Sequence, residues 1–126
     1  MIVLLISFCK DSCVDIQYSK SARTCFAPDN SSVIMDVKQE DFGLIKLIFQ
    51  GKILYKERGD LSCVFSDSVA IIFDNENTFC IAHDTCAVVY WKEKDCYFNL
   101  FEWEMEKLHS ILRAYGFHFP CIWNAD

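Results

Sequence analysis

The sequence predicts an α+β fold: an antiparallel sheet of about five to seven strands, a meander in its C-terminal half, with one long helix of the C-terminal half packed on one face. Three observations predict it. Residues 61–91 contain four short apolar runs, Leu61–Phe65, Val69–Phe73, Phe79–His83 and Ala87–Trp91, rich in the β-branched and aromatic residues that suit strands. The connections between them, Ser66-Asp67-Ser68, Asp74-Asn75-Glu76-Asn77 and Asp84-Thr85, are turn formers and too short for a crossover helix, so sequential strands must pair antiparallel. After them, "NLFEWEMEKLHSILRAYG" carries Phe101, Met105, Leu108, Leu112 and Tyr115 at steps of four, three, four and three, which places them on one helical face.

Taken in order, "MIVLLISFCK" reads as a buried strand over residues 2–9. No basic residue precedes its apolar run and no small-residue cleavage site follows, as a secretory signal requires, and the run is far short of the ~20 residues that span a bilayer. Residues 10–32 are polar and irregular, with a short strand at Val14–Tyr18 where Val14, Ile16 and Tyr18 alternate with polar residues. Val33–Val37 reads as another short strand. Over residues 41–57 two patterns compete. Phe42, Ile45, Ile48 and Phe49 have helical spacing with Gly51 as a stop, whereas Leu44–Phe49 and Lys52–Glu57 read as a hairpin around Gln50-Gly51; Gly43 tips the balance slightly to the hairpin. For the long helix, Asn99 is the expected N-cap with Glu102 completing a capping-box pattern, and Gly116 the expected stop. Glu102, Glu106, His109 and Arg113 share its outer face and are expected to be solvated. Phe117–Trp123 reads as a final extended piece at a sheet edge.

At 126 residues with no linker, repeat or low-complexity tract, the expectation is one domain spanning residues 1–126. Without an export signal the expected compartment is the cytoplasm, where thiols stay reduced. A chain 52% hydrophobic can build its core without covalent staples, so most of the eight cysteines are expected to be free thiols; Cys63, Cys80 and Cys121 lie inside apolar runs as small core residues do.

The formal net charge of −6 is unevenly spread. Residues 1–58 carry a net +1 and residues 59–126 a net −7, and no Lys or Arg occurs between Gly59 and Trp91. Such a surface repels a phosphate backbone, so nucleic acid is not expected as a partner, nor is a membrane. It attracts a basic protein and speeds encounter with it. Asp67, Asp74, Glu76 and Asp84 fall at turns on the sheet's rim, and with the large aromatics Trp91 and Trp103 they have the composition of a protein-binding surface.

Motifs for other chemistry are weak. The four glycines, Gly43, Gly51, Gly59 and Gly116, are too far apart for a phosphate-binding loop, and no cofactor is expected. Cys80, His83, Cys86 and Cys96 are zinc-ligand types, but their spacing is not that of a standard site, and Cys80 and His83 would point to opposite sides of a strand. No local signature marks a cysteine nucleophile for His83, His109 or His118. The expectation is therefore a non-enzymatic protein-binding module, a small acidic protein of the immunity or inhibitor type that neutralises a basic partner such as a bacterial nuclease-type toxin. The alternatives are a small cysteine/histidine-dependent enzyme and a zinc-stabilised interaction domain.

Overall fold

The computed structural model describes residues 12–27, 32–56, 63–84 and 86–121. Six strands form one antiparallel sheet: β1 (Ala22–Phe26), β2 (Val33–Asp36), β3 (Val69–Phe73), β4 (Thr78–Ile81), β5 (Val88–Trp91) and β6 (Cys96–Asn99), in the order β2-β1-β3-β4-β5-β6. Two helices accompany it, α1 (Gln39–Phe49) and α2 (Glu102–Arg113). The α+β class and the antiparallel pairing agree with the sequence reading. Strand β2 matches the strand expected at Val33–Val37. Two features differ: there are two helices rather than one, and the sheet includes an unexpected strand, β1, from the polar segment 10–32. The C-terminal helix is moderate in length, 12 residues.

The core lies between the sheet and the helices, and strand periodicity explains why. Thr24, Ile71, Phe79, Trp91 and Cys96 form one row across β1, β3, β4, β5 and β6 by register, and all are buried. Their neighbours Cys25, Ala70, Cys80, Tyr90 and Tyr97 form the matching row on the opposite face. Phe49 of α1 sits over the first face, its ring 5.4 Å from that of Phe79 and 5.2 Å from that of Phe98.

Segment 39–49 is a helix, not half of the expected hairpin. A glycine in a helix interior costs about 1 kcal/mol relative to alanine. Against this, α1 buries Phe42, Ile45, Ile48 and Phe49 on one stripe, each contributing roughly 1.5–3 kcal/mol. The burial outweighs the glycine several-fold, and a hairpin would have put half of these side chains on the wrong face. Gly51, at φ +83°, supplies the left-handed residue after the helix C-cap Gln50.

Segment 12–16 runs beside the exit of α1 without forming a strand. Cys13 makes an isolated bridge with Ile53, Val14 exchanges backbone bonds with Lys52 and Gly51, and the Ile16 N–H donates to Gln50 Oε1 at 2.7 Å. Val14 and Ile16 are buried, but Tyr18 is 84% exposed, so the alternation expected over Val14–Tyr18 stops short. The expected strand at residues 2–9 lies outside the described residues, as do Leu61 and Ser62 of the expected Leu61–Phe65 strand, whose residues 63–65 take no strand pairing. Of the extended piece expected at Phe117–Trp123, residues 117–121 follow α2 without strand pairing, and residues 122–123 lie outside the described residues.

Helix α2 begins two residues later than its expected cap implies. Asn99 stays in β6, and its side-chain oxygen accepts the Tyr55 hydroxyl. The N-cap is Phe101, and Glu104, at the third helical position, accepts the Phe101 N–H at 2.9 Å. The same carboxylate takes Lys52 Nζ at 2.8 Å on each oxygen, which ties the start of α2 to the segment after α1. At the other end, Tyr115 accepts the Lys38 N–H at 2.9 Å and donates to Asp41 at 2.6 Å, clamping the end of α2 to the start of α1.

Candidate functional site

The four turn acids do not converge. Because β3 and β4 run antiparallel, Asp67 (before β3) and Asp84 (after β4) lie at one end of the sheet, while Asp74 and Glu76 lie in the β3–β4 turn at the other. Each also has local work. Asp67 pairs with Lys92 at 2.8 Å and Glu76 with Arg23 at 3.2 Å. Asp74 accepts the Lys20 N–H at 2.8 Å, and Asp84 accepts the Cys86 N–H at 2.9 Å. Glu76 holds a left-handed backbone, φ +65°, as a turn at that position demands.

The two tryptophans part company. Trp91 is a core residue, 3% exposed, packed on Phe79 at 5.0 Å with its indole N–H donating to Asn77. In the folded protein it cannot serve as a surface anchor, because its place in the inward row of the sheet buries it. Trp103 stands 64% exposed on α2, next to Phe101 at 65%. Lys52 Nζ lies 5.1 Å from the centre of the Phe101 ring, and the two aromatics, two residues apart, project in different directions from the start of α2.

Beside them α2 forms one wall of a groove of about 270 Å³, lined by Ala87, Glu102, Met105, Glu106 and His109. Glu102 and Glu106 are exposed and make no ion pair among the described residues. Spaced by four, they lie on one side of the helix, as the sequence indicated. His109 departs from the expected solvated face. It is buried, its ring stacked on Phe119 with centroids 3.9 Å apart, and its Nε2 has no hydrogen-bond partner among the described residues. Burial, helped by the nearby Arg113 charge, lowers its pKa to about 4, so the imidazole is neutral at pH 7. The sequence grouped Glu102, Glu106 and His109 on one face but not its coverage: His109 is covered by Phe119, and Phe101, expected on the apolar stripe, is exposed because it is the N-cap and precedes the helix.

The thiols and imidazoles gather elsewhere. Cys63 and Cys86 are joined as a disulfide, a departure from the expectation that Cys63 is an ordinary core thiol; Cys13, Cys25, Cys80, Cys96 and Cys121 are free. The zinc-type set Cys80, His83, Cys86 and Cys96 is not brought together. Cys80 pairs with Tyr90 and Cys96 with Trp91, adjacent residues of β5, so the two thiols point to opposite faces of the sheet. Burial drives the Cys80 thiol up to about 12.

Among the described residues, the contacts of histidine with Ser66 and Cys121 do not prepare a thiolate. His83 Nε2 is 2.8 Å from Ser66 Oγ, which also accepts the Ser68 N–H at 3.2 Å. Cys121 meets histidine backbone carbonyls, Sγ donating to His118 and the N–H to His83. Burial pushes its thiol up to about 11, away from the low pKa that a nucleophilic cysteine needs.

No helix among the described residues is long and apolar enough to cross a membrane. Compared with protein-family models, with curated proteins and with solved structures, the chain has no significant match, so its function is to be read from these surfaces alone.

Proposed function

We propose that this protein is a non-enzymatic binding module that engages a basic protein partner. Its form would be a small acidic inhibitor of the immunity type, blocking a basic target such as a nuclease-type toxin. One observation supports this most: Phe101 and Trp103 stand exposed at the start of α2 beside the carboxylates Glu102 and Glu106, which have no ion-pair partners among the described residues. Aromatic anchors with a charged rim are the arrangement that concentrates binding energy. A lysine or arginine of the partner fits the neighbouring groove, where two carboxylates await its charge and Met105 and Ala87 its aliphatic stem. The net charge of −6 adds long-range attraction, while Asp67, Asp74, Glu76 and Asp84 contribute to the field from the sheet ends rather than to the contact.

The test starts with affinity capture from the native host, then binding kinetics on the captured protein at low and high salt. Glu102→Gln with Glu106→Gln should lower the association rate and flatten its salt dependence. Trp103→Ala should raise the dissociation rate about 30-fold, the equivalent of about 2 kcal/mol. Capture of no basic protein, or binding indifferent to both variants, would overturn the reading.

A further inference from the structure

Cys63, Asp84 and Cys86 bring one ligand atom each to within 4.8 Å of one another. Cys63 comes from the segment before β3, Asp84 and Cys86 from the loop between β4 and β5, so the fold and not the local sequence assembles them. Cys63 is buried, while Asp84 and Cys86 are half-exposed and keep one side open to solvent. The inner side is apolar: Ala82, Val88, Phe65 and Tyr97 pack around the pair. The bond from the Cys86 N–H to Asp84 Oδ1 fixes the carboxylate beside the sulfurs and leaves its second oxygen available.

We propose that these three residues are a redox-gated site for a thiophilic divalent cation, with zinc as its best match. In the oxidised state Cys63 and Cys86 form the disulfide and hold no thiolate for a metal. A small dithiol opens the gate: its two thiols become its own disulfide, two electrons and two protons pass to the protein, and the Cys63–Cys86 bond becomes two thiols. Zinc binding then releases both thiol protons and places two thiolates and one carboxylate on the ion, with water in the fourth tetrahedral position. Donors already within 4.8 Å need little rearrangement to meet around a cation whose bonds to sulfur are about 2.3 Å and to oxygen about 2.0–2.2 Å. The gate is the pair's own chemistry: the same two sulfurs bind either each other or the metal.

The first test uses the whole protein, unmutated, in two redox states. Zinc chloride is titrated against a chromophoric chelator into protein reduced with a phosphine, and into oxidised protein whose Cys63–Cys86 bond is verified by peptide mapping. The reduced protein should bind zinc with a Kd below about 1 µM, and the oxidised protein at least ~100-fold more weakly. Cobalt(II) in place of zinc should give sulfur-to-metal charge-transfer absorption only in the reduced protein. Asp84→Asn, which keeps both cysteines, should weaken zinc binding by about tenfold or more. Cys80→Ser, at a thiol outside the cluster, should leave it unchanged. The proposal is overturned by equal zinc binding in the two redox states, by a reduced-state Kd weaker than about 10 µM, or by full binding in the Cys63→Ser, Cys86→Ser protein.

Discussion

The two faces of the sheet are made by alternate residues of the same strands, yet they differ in kind. On the helix side, Phe49, Phe73, Phe79 and Phe98 are fully enclosed and interlock ring against ring, with Ile71 enclosed in the same layer. On the other side, Phe65, Tyr90 and Tyr97 form a shallower layer, and around it stand Cys25, Cys80, the Cys63–Cys86 pair and the Lys92–Asp67 ion pair. The first face specifies the fold by volume. The second is a thinner layer, in which Cys25, Cys86, Tyr90 and Tyr97 are partly exposed while Cys63 and Cys80 stay buried. Stability should therefore be concentrated on one face.

The largest effect tests that directly. Phe49 sits within the helix-side cluster, packed against Phe73, Phe79 and Phe98, so its truncation opens a cavity among these rings. Phe49→Ala should cost about 3–5 kcal/mol, read from the urea midpoint at unchanged slope. A loss of less than about 1.5 kcal/mol would mean that the core is not organised around α1.

His109 is one of the polar groups buried on the helix side, and pH exposes it. Its pKa is lowered from 6.5 in the unfolded chain to about 4 in the fold, by burial first and the Arg113 charge second. A positive histidine near a helix C-terminus is ordinarily favourable, but burial outranks the dipole here. The neutral imidazole is native, so the unfolded chain gains the proton first as pH falls. The contribution to stability is full above pH 6.5 and is lost as pH drops through the window to about 4. His109→Phe keeps the stack on Phe119 and removes the proton site. Between those pH values the wild type should lose on the order of 2 kcal/mol more than the variant, measured by urea unfolding. Parallel pH curves for the two proteins would show that the ring is solvated in solution.

Much of this contrast was legible in the sequence, and the misses have physical causes. Val69–Phe73, Phe79–His83 and Ala87–Trp91 announced β3, β4 and β5 because each combines apolar continuity with turn formers on both sides. Strand β1, "ARTCF", stayed hidden: its inward residues are Ala22, Thr24 and Phe26, too mixed to signal alternation, and the buried Thr24 relies on its place in the sheet. Strand β6 was hidden by its shortness and by the left-handed Asp95, φ +51°, which turns the chain back after Lys92–Lys94. In α1 the penalty of Gly43 was visible and the compensating contacts of Phe49 were not. Of the candidate surface, Trp103 and Glu102 were legible on their helix. The meeting of Cys63 with Asp84 and Cys86 was not, since it joins segments on either side of β3 and β4.

The smallest effect belongs to the open face. Tyr90 packs its ring against Tyr97, centroids 4.8 Å apart, and its hydroxyl donates to Asp95 Oδ1 at 2.7 Å. Tyr90→Phe keeps the ring contacts and removes only this bond, which lies near solvent, so water replaces part of it. The expected cost is about 0.5–1 kcal/mol at neutral pH, well below that of Phe49→Ala. The bond also has a pH signature. The Asp95 carboxylate, accepting the hydroxyl proton, pushes the Tyr90 pKa from 10 up to about 12, with burial adding to it. The folded state keeps the phenol neutral longer than the unfolded chain does. Its contribution is therefore present below pH 10 and lost as pH rises towards 12. Wild type and variant should differ at pH 8 by the full amount and converge over that alkaline range, in urea midpoints taken at each pH. A cost at pH 8 equal to that of Phe49→Ala would erase the distinction between the faces. A small cost that persists unchanged at pH 12 would assign the effect to packing instead of to the bond with Asp95.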